Sequence, residues 1–167
     1  QIAVCDDEKY YRDKIRELAA QFLEKRQLPY TVTVYPSGED FLAGEENLVK
    51  YDIVFLDIEM PGMNGIYVGN ELKKANRNVI VFVVTSYSEY LDEAMRFHVF
   101  RYLSKPLDKQ RFFRNLKDAL AYYNSITLKI PVETKQAVYS FPASQIIAIE
   151  AQGRKVIVHT ARQDFDS

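Results

Sequence analysis

The chain has no tryptophan and a single cysteine, Cys5, so no disulfide can form within it. One thiol in an apolar run suits a reducing compartment and excludes the disulfide-stapled secreted class. Six glycines and six prolines among 167 residues are too few for a collagen-like or linker composition. No apolar stretch approaches the ~20 residues of a membrane-spanning helix. The longest, Val79-Ile-Val-Phe-Val-Val84, is strand-sized. Neither charge sign dominates: 22 Lys and Arg stand against 23 Asp and Glu, a net charge of −1. That balance provides no global attraction to nucleic acid or to anionic membranes. No signal-peptide pattern heads the sequence. What is present is 47% apolar and 27% charged residues, enough for a packed core and unlike a disordered chain. The expectation is a soluble, cytoplasmic protein of one full domain plus a smaller unit.

Up to Ser125, short β-rich runs alternate with stretches of helical period, the pattern of a βα repeat around a parallel sheet. Strands are expected at Ile2–Cys5, Thr31–Tyr35, Ile53–Leu56, Val79–Val84 and Tyr102–Leu103. Helices are expected at about Glu8–Arg26, Ile66–Lys74, Ser88–Phe97 and Asp108–Ser125. In the first of these, Ile15, Leu18, Ala19 and Phe22 share one face. Ser37 suits the N-cap of a short helix carrying Phe41 and Leu42. Five βα units of this size predict a flavodoxin-like α/β fold with a central parallel five-stranded sheet. Beyond Ser125 the pattern changes: Ile126–Val132, Ala137–Phe141, Ile146–Ala151 and Val156–Thr160 are strand-like with no helix between them. Residues 126–167 therefore form a second, all-β segment, small enough to be the opening portion of a larger domain.

The chemistry gathers at strand ends. Ile2-Ala-Val-Cys5 runs into Asp6-Asp7-Glu8, Ile53–Leu56 into Asp57, and Tyr102-Leu-Ser104 into Lys105-Pro106. In a parallel sheet all strand C-termini open on one edge, where ligands bind. Carboxylates converging there repel one another unless a divalent cation joins them. Mg²⁺ takes hard oxygen ligands, commonly one or two carboxylates plus substrate phosphate. Lys105 suits an added anionic group such as a phosphoryl, and its bond to Pro106 can be cis at little cost. Asp57 is the candidate nucleophile, able to form an aspartyl-phosphate. Thr85 closes the fourth strand, where a hydroxyl can bond a phosphoryl oxygen. Each residue alone has a plainer reading: Asp6 and Asp7 as helix-start acids, Lys105 as a surface lysine, Tyr102 as half-buried packing.

Taken in order, Asp6-Asp7, Asp57 with the loop Met60-Pro-Gly-Met-Asn-Gly65, Thr85, Tyr102 and Lys105-Pro106 resemble the receiver domain of two-component response regulators. The match runs through residues 2–125. The resemblance implies a phosphoacceptor at Asp57 and a Mg²⁺ site formed by Asp6, Asp7, Asp57 and the backbone carbonyl of Glu59. It implies that Lys105 clasps the phosphoryl group and that Thr85 and Tyr102 form a switch pair. A sensor histidine kinase is then the donor, and phosphorylation favours a homodimer through the face of the fourth helix, fifth strand and last helix.

The tail, Phe141-Pro-Ala-Ser-Gln-Ile-Ile-Ala-Ile-Glu150-Ala-Gln-Gly153-Arg-Lys-Val-Ile-Val-His159, looks like the first strands of a LytTR-type DNA-binding domain. The resemblance implies promoter DNA as the target of the complete protein. Residues 126–167 carry five Lys and Arg against four Asp and Glu, short of the basic patch of a complete DNA-binding face. Two other readings stay open: a Mg²⁺-dependent phosphatase, with Glu59 as the second acid two residues beyond Asp57, and a receiver whose output is a protein partner. On the first reading the chain takes part in its own phosphotransfer and is not a turnover enzyme.

Overall fold

The fully apolar runs become the strands of a buried sheet, and the periodic stretches become the helices that cover it. In this computed structural model, residues 1–43, 45–86, 97–133, 137–152, 155–160 and 164–166 are described. The first part of the chain runs β1 (Ile2–Cys5), α1 (Lys9–Glu24), β2 (Val32–Tyr35), α2 (Gly38–Leu42), a 3-10 segment (Glu45–Lys50) and β3 (Ile53–Leu56). It continues through α3 (Gly65–Ala75), β4 (Ile80–Thr85), β5 (Arg101–Ser104) and α4 (Lys109–Thr127). The five strands form one parallel sheet in the order β2-β1-β3-β4-β5. This is the flavodoxin-like α/β architecture expected. The helix expected at about Ser88–Phe97 falls almost wholly outside the described residues.

Every residue of β1, β3 and β4 is buried, which is why these strands read as apolar runs without alternation. One face of the sheet packs Ala3, Cys5, Val54, Leu56, Val81 and Val83 with Phe41 of α2 and with Val68 and Leu72 of α3. On the other, Phe55 stacks between Phe82 and Phe112 of α4, at centroid distances of 4.9 and 5.2 Å. Phe22 of α1 meets Phe113 edge-on at 5.3 Å. Buried aromatics in these arrangements add about 0.5–1.5 kcal/mol per pair beyond their area.

Local signals set the helix ends. Ser37 Oγ accepts from the Asp40 N–H and donates to the Asp40 carboxylate, capping α2 from both directions. The Asn64 side chain accepts from the Tyr67 N–H at the start of α3. α1 ends as Gln27 turns to φ +55° and the Leu28 N–H returns to the Leu23 carbonyl.

The chain divides into two compact units, Gln1–Ala119 and Leu120–Ser167, and the division falls within α4. In the second unit β6 (Lys129–Glu133) and β7 (Val138–Pro142) form an antiparallel pair. β8 (Ile146–Gln152), β9 (Lys155–Thr160) and β10 (Asp164–Asp166) form a three-stranded antiparallel sheet. The strand expected to begin at Ile126 starts only at Lys129. The helix carries on instead: the Leu128 N–H reaches the Asn124 carbonyl, and Thr127 Oγ1 bonds the Tyr123 carbonyl one turn back. A β-branched residue can stay helical when its hydroxyl finds that carbonyl.

Candidate functional site

Strands β1, β3 and β5 each hand their next residue to a neighbour through one further ladder bond. The Asp6 N–H donates to the Tyr35 carbonyl on β2, the Asp57 N–H to the Cys5 carbonyl on β1, and the Lys105 N–H to the Thr85 carbonyl on β4. All three side chains therefore leave from the same edge of the sheet. β1 and β3 are neighbours there, flanking the point where the strand order reverses. β4 lies between β3 and β5, so a side chain from β5 must cross about two strand spacings of ~4.8 Å to meet β3. The long lysine stem, meeting the Asp57 side chain part way, spans that gap.

Lys105 Nζ lies 2.6 Å from Asp57 Oδ2, 2.9 Å from Asp6 Oδ2 and 3.0 Å from Glu8 Oε1. The side chains of Asp6, Asp57 and Lys105 are almost fully buried, whereas that of Glu8 is 55% exposed. The bonds to Asp57 and Glu8 are well directed. The approach to Asp6 is an ion pair in distance only, and Asp6 Oδ2 is the buried side-chain oxygen left without a hydrogen bond among the described residues. Its other oxygen accepts from the Glu8 N–H at 2.9 Å, and Asp57 Oδ1 accepts from the Glu59 N–H at 3.2 Å. The ring of Tyr11 closes one side of the ammonium, 4.2 Å from Nζ to its centroid. The Lys105–Pro106 bond is cis.

Three carboxylates around one ammonium leave the site negative. Burial raises the Asp6 carboxyl to about 6, with Lys105 pulling it down and Asp57 pushing it up. Asp57 is raised too, again chiefly by burial, against the pull of Lys105 and the Glu59 N–H. For Lys105, burial works against the charge, but the Asp57, Asp6 and Glu8 carboxylates around it outweigh burial and hold its pKa above the usual lysine value. Asp6, Glu8 and Asp57 each offer an oxygen within 4.8 Å of the others. Hard oxygens, excess negative charge and an orphaned buried oxygen fit a small divalent cation such as Mg²⁺.

The sequence-predicted residues do not all meet. Asp6, Asp57 and Lys105 converge. Asp7 is exposed and stands outside the group, and Glu8 takes that place among the described acids. Glu8 carries no signal of its own beyond closing an acidic run. Thr85 is buried at the end of β4, beside the lysine's strand. Tyr102 is half-buried against the core on the α2–α3 face and pairs in register with Val83. Burial, then the charge on Asp57, raises its hydroxyl pKa. Glu59 is exposed beside a cavity of about 360 Å³ lined by Ile58, Glu59, Met60, Pro61 and Asn64. Cys5 lies buried under the site, its thiol 3.7 Å from Met60 Sδ, and burial with the nearby acids raises its pKa and keeps it inert.

Two glycines hold the loop after Asp57. Gly62 has φ +82°, the left-handed region that favours glycine. Gly65 starts α3 with its N–H on the Ile58 carbonyl, and a Cβ there would sit 1.9 Å from the Asp57 carbonyl oxygen.

A buried carboxylate, an ammonium bonded to it and an acidic pocket lie together at one sheet edge of this α/β fold. Residues 2–117 match the response regulator receiver domain family, and the chain belongs to it. It is the receiver of a two-component response regulator. An uncharacterised response regulatory protein of Vibrio cholerae is 28% identical over 175 residues, covering 98% of this chain and 70% of that protein. The sensory transduction protein LytT of Bacillus anthracis is 30% identical over 117 residues, covering 70% of this chain and 46% of its own length. The transcriptional regulatory protein BtsR of Escherichia coli is 27% identical over 144 residues, covering 86% and 58%. The chain thus spans about half to two thirds of the length of these relatives. Among solved structures, a response regulator receiver domain protein from Clostridium thermocellum matches with a TM-score of 0.60 and 27% identity, over 72% of this chain and 93% of that one. No helix among the described residues is long and apolar enough to cross a membrane.

Proposed function

We propose that Asp57 accepts a phosphoryl group from a sensor histidine kinase and that the resulting charge drives the output of the protein. The observation that carries this is the convergence of Asp57, Asp6 and Lys105, with Lys105 Nζ 2.6 Å from Asp57 Oδ2. A carboxylate oxygen of Asp57 attacks phosphorus in line, and the donor leaves with the bonding electron pair. Lys105 is already charged and needs no proton exchange; its ammonium shifts from Asp57 to an oxygen of the incoming phosphoryl. Asp6, Asp57 and the Glu59 carbonyl would hold Mg²⁺, Asp7 would join them only by turning in from its exposed position, and Glu8 lies beside the group. When bound, the cation neutralises charge on the transferring group.

Phosphorylation adds negative charge and acceptor oxygens beside Thr85. Thr85 bonds one of them, Tyr102 follows inward, and the altered face of β5 and its flanking helices supports a homodimer. Residues 1–125 are the receiver and residues 126–167 open a LytTR-type domain, through which the complete protein, in the cytoplasm, controls transcription at promoter DNA. The names of the LytT and BtsR relatives support that output. The chain is a phosphoacceptor, not a turnover enzyme. The Glu59 N–H donates to Asp57 Oδ1 at 3.2 Å, so this residue meets the acceptor carboxylate through its backbone.

Mass spectrometry of the protein with Mg²⁺ and acetyl phosphate, beside Asp57→Asn, tests the reading. The expected result is one phosphoryl adduct that disappears in the variant and in chelator. No adduct, or an adduct that survives Asp57→Asn, removes Asp57 as acceptor.

A further inference from the structure

Glu8 is the N-cap residue of α1, but its side chain makes no cap bond; its carbonyl alone receives the Tyr11 and Arg12 N–H groups. Its carboxylate instead turns to Lys105 and takes a directed bond at 3.0 Å. The buried Asp6 oxygen, 2.9 Å from the same nitrogen, receives none. An ammonium has only three donors. One is committed to Asp57, and the Tyr11 ring covers another side. The acid that wins the remaining directed bond is therefore the exposed one, which can leave at little cost.

From this we infer that Glu8 is a positioning residue that latches Lys105 in the unphosphorylated state and sets how fast Asp57 is phosphorylated. The inference rests on Asp57 and Lys105 acting as proposed above. With acetyl phosphate as donor, an Asp57 oxygen forms a bond to phosphorus as the bond from phosphorus to the acyl oxygen breaks, and acetate departs with the electron pair. No proton is exchanged. Before that bond forms, Lys105 must meet a phosphoryl oxygen, and its bond to Glu8 holds it back. The negative carboxylate also opposes the anionic donor, so contact and charge act in the same direction but respond differently to substitution.

Two variants separate them. Glu8→Gln keeps the length and removes the charge; Glu8→Asp keeps the charge and shortens the reach by one methylene. The experiment measures the rate of Asp57 phosphorylation by acetyl phosphate in Mg²⁺, at low and high ionic strength, with thermal unfolding as a control. A latch predicts that both variants react about two- to five-fold faster, the range a half-exposed ion pair supports. The gain with Glu8→Asp should persist in salt, a readout that a merely structural role would not move. If only Glu8→Gln is faster and its gain fades in salt, Glu8 acts through charge alone and the latch is wrong. If neither differs from the parent while the parent labels on Asp57, this inference fails and the phosphoacceptor reading stands. A parent that does not label on Asp57 overturns both.

Discussion

The two units of this chain use β-structure in opposite ways. In Gln1–Ala119, strands β1, β3 and β4 are buried at every position, because helices cover both faces of the parallel sheet. In Leu120–Ser167 the strands are antiparallel, and large apolar side chains stay in water: Ile147 is 70% exposed, Ile149 58% and Val138 66%. The comparison shows what two-sided burial provides. A strand packed on both faces cannot slide or rotate, so the residue just past its end is held where the ladder leaves it. That is how Asp6 and Asp57, which follow β1 and β3, are held within 3 Å of Lys105 Nζ, although β5, the lysine's own strand, is more exposed.

The strongest way to break this contrast is Gly65→Ala, which strikes the loop locked onto Asp57. The added Cβ meets the Asp57 carbonyl oxygen at 1.9 Å, so backbone must move. A loss of about 2–3 kcal/mol is expected in urea unfolding, with slower phosphorylation of Asp57. Unchanged stability and rate would mean that the loop is not held as tightly as its packing indicates.

A substitution of opposite sign sharpens the same point. The Asp6 carboxyl has its folded-state pKa raised from 3.8 to about 6 by burial. A raised folded pKa favours the fold below about pH 4, and that contribution is lost as pH rises through 6. At pH 8 without divalent cation, Asp6→Asn is therefore expected to stabilise the protein, by up to ~3 kcal/mol. The gap should close below about pH 4 and shrink on adding Mg²⁺. Denaturation across pH, with and without Mg²⁺, checks both signs. The smallest effect is expected in the second unit: Ile149→Ser should change stability by under ~0.5 kcal/mol, because so little of that side chain leaves water. A larger loss would show that the exposed face is packed in solution.

Much of the first unit was legible because its signals are local. An apolar run of four to six residues bounded by polar ones marks a buried parallel strand whatever surrounds it, and helical spacing marked Ile15, Leu18 and Phe22 for the core. The receiver pattern then named Asp6, Asp57, Thr85 and Lys105 at strand ends. The second unit was read less sharply. Ile126 and Thr127 have strand-forming side chains, yet α4 continues through them because its last turn finds side-chain partners. The short strand β10 gives no signal in the sequence, as Asp164-Phe-Asp166 is too short to show a repeat and pairs along the edge of β9.

The sequence by itself determined the parallel sheet, the strand ends that carry the acids, and the lysine that faces them, since periodicity and the direction of parallel strands require no long-range information. Only the tertiary structure decided which member of Asp6-Asp7-Glu8 turns to Lys105, which oxygen of Asp6 is left unbonded, and how closely Gly65 approaches Asp57. The physical reason is that three adjacent acids are alike in composition and differ only in where the backbone points them. Their directions are set as β1 gives way to α1 and meets a lysine ninety-seven residues away.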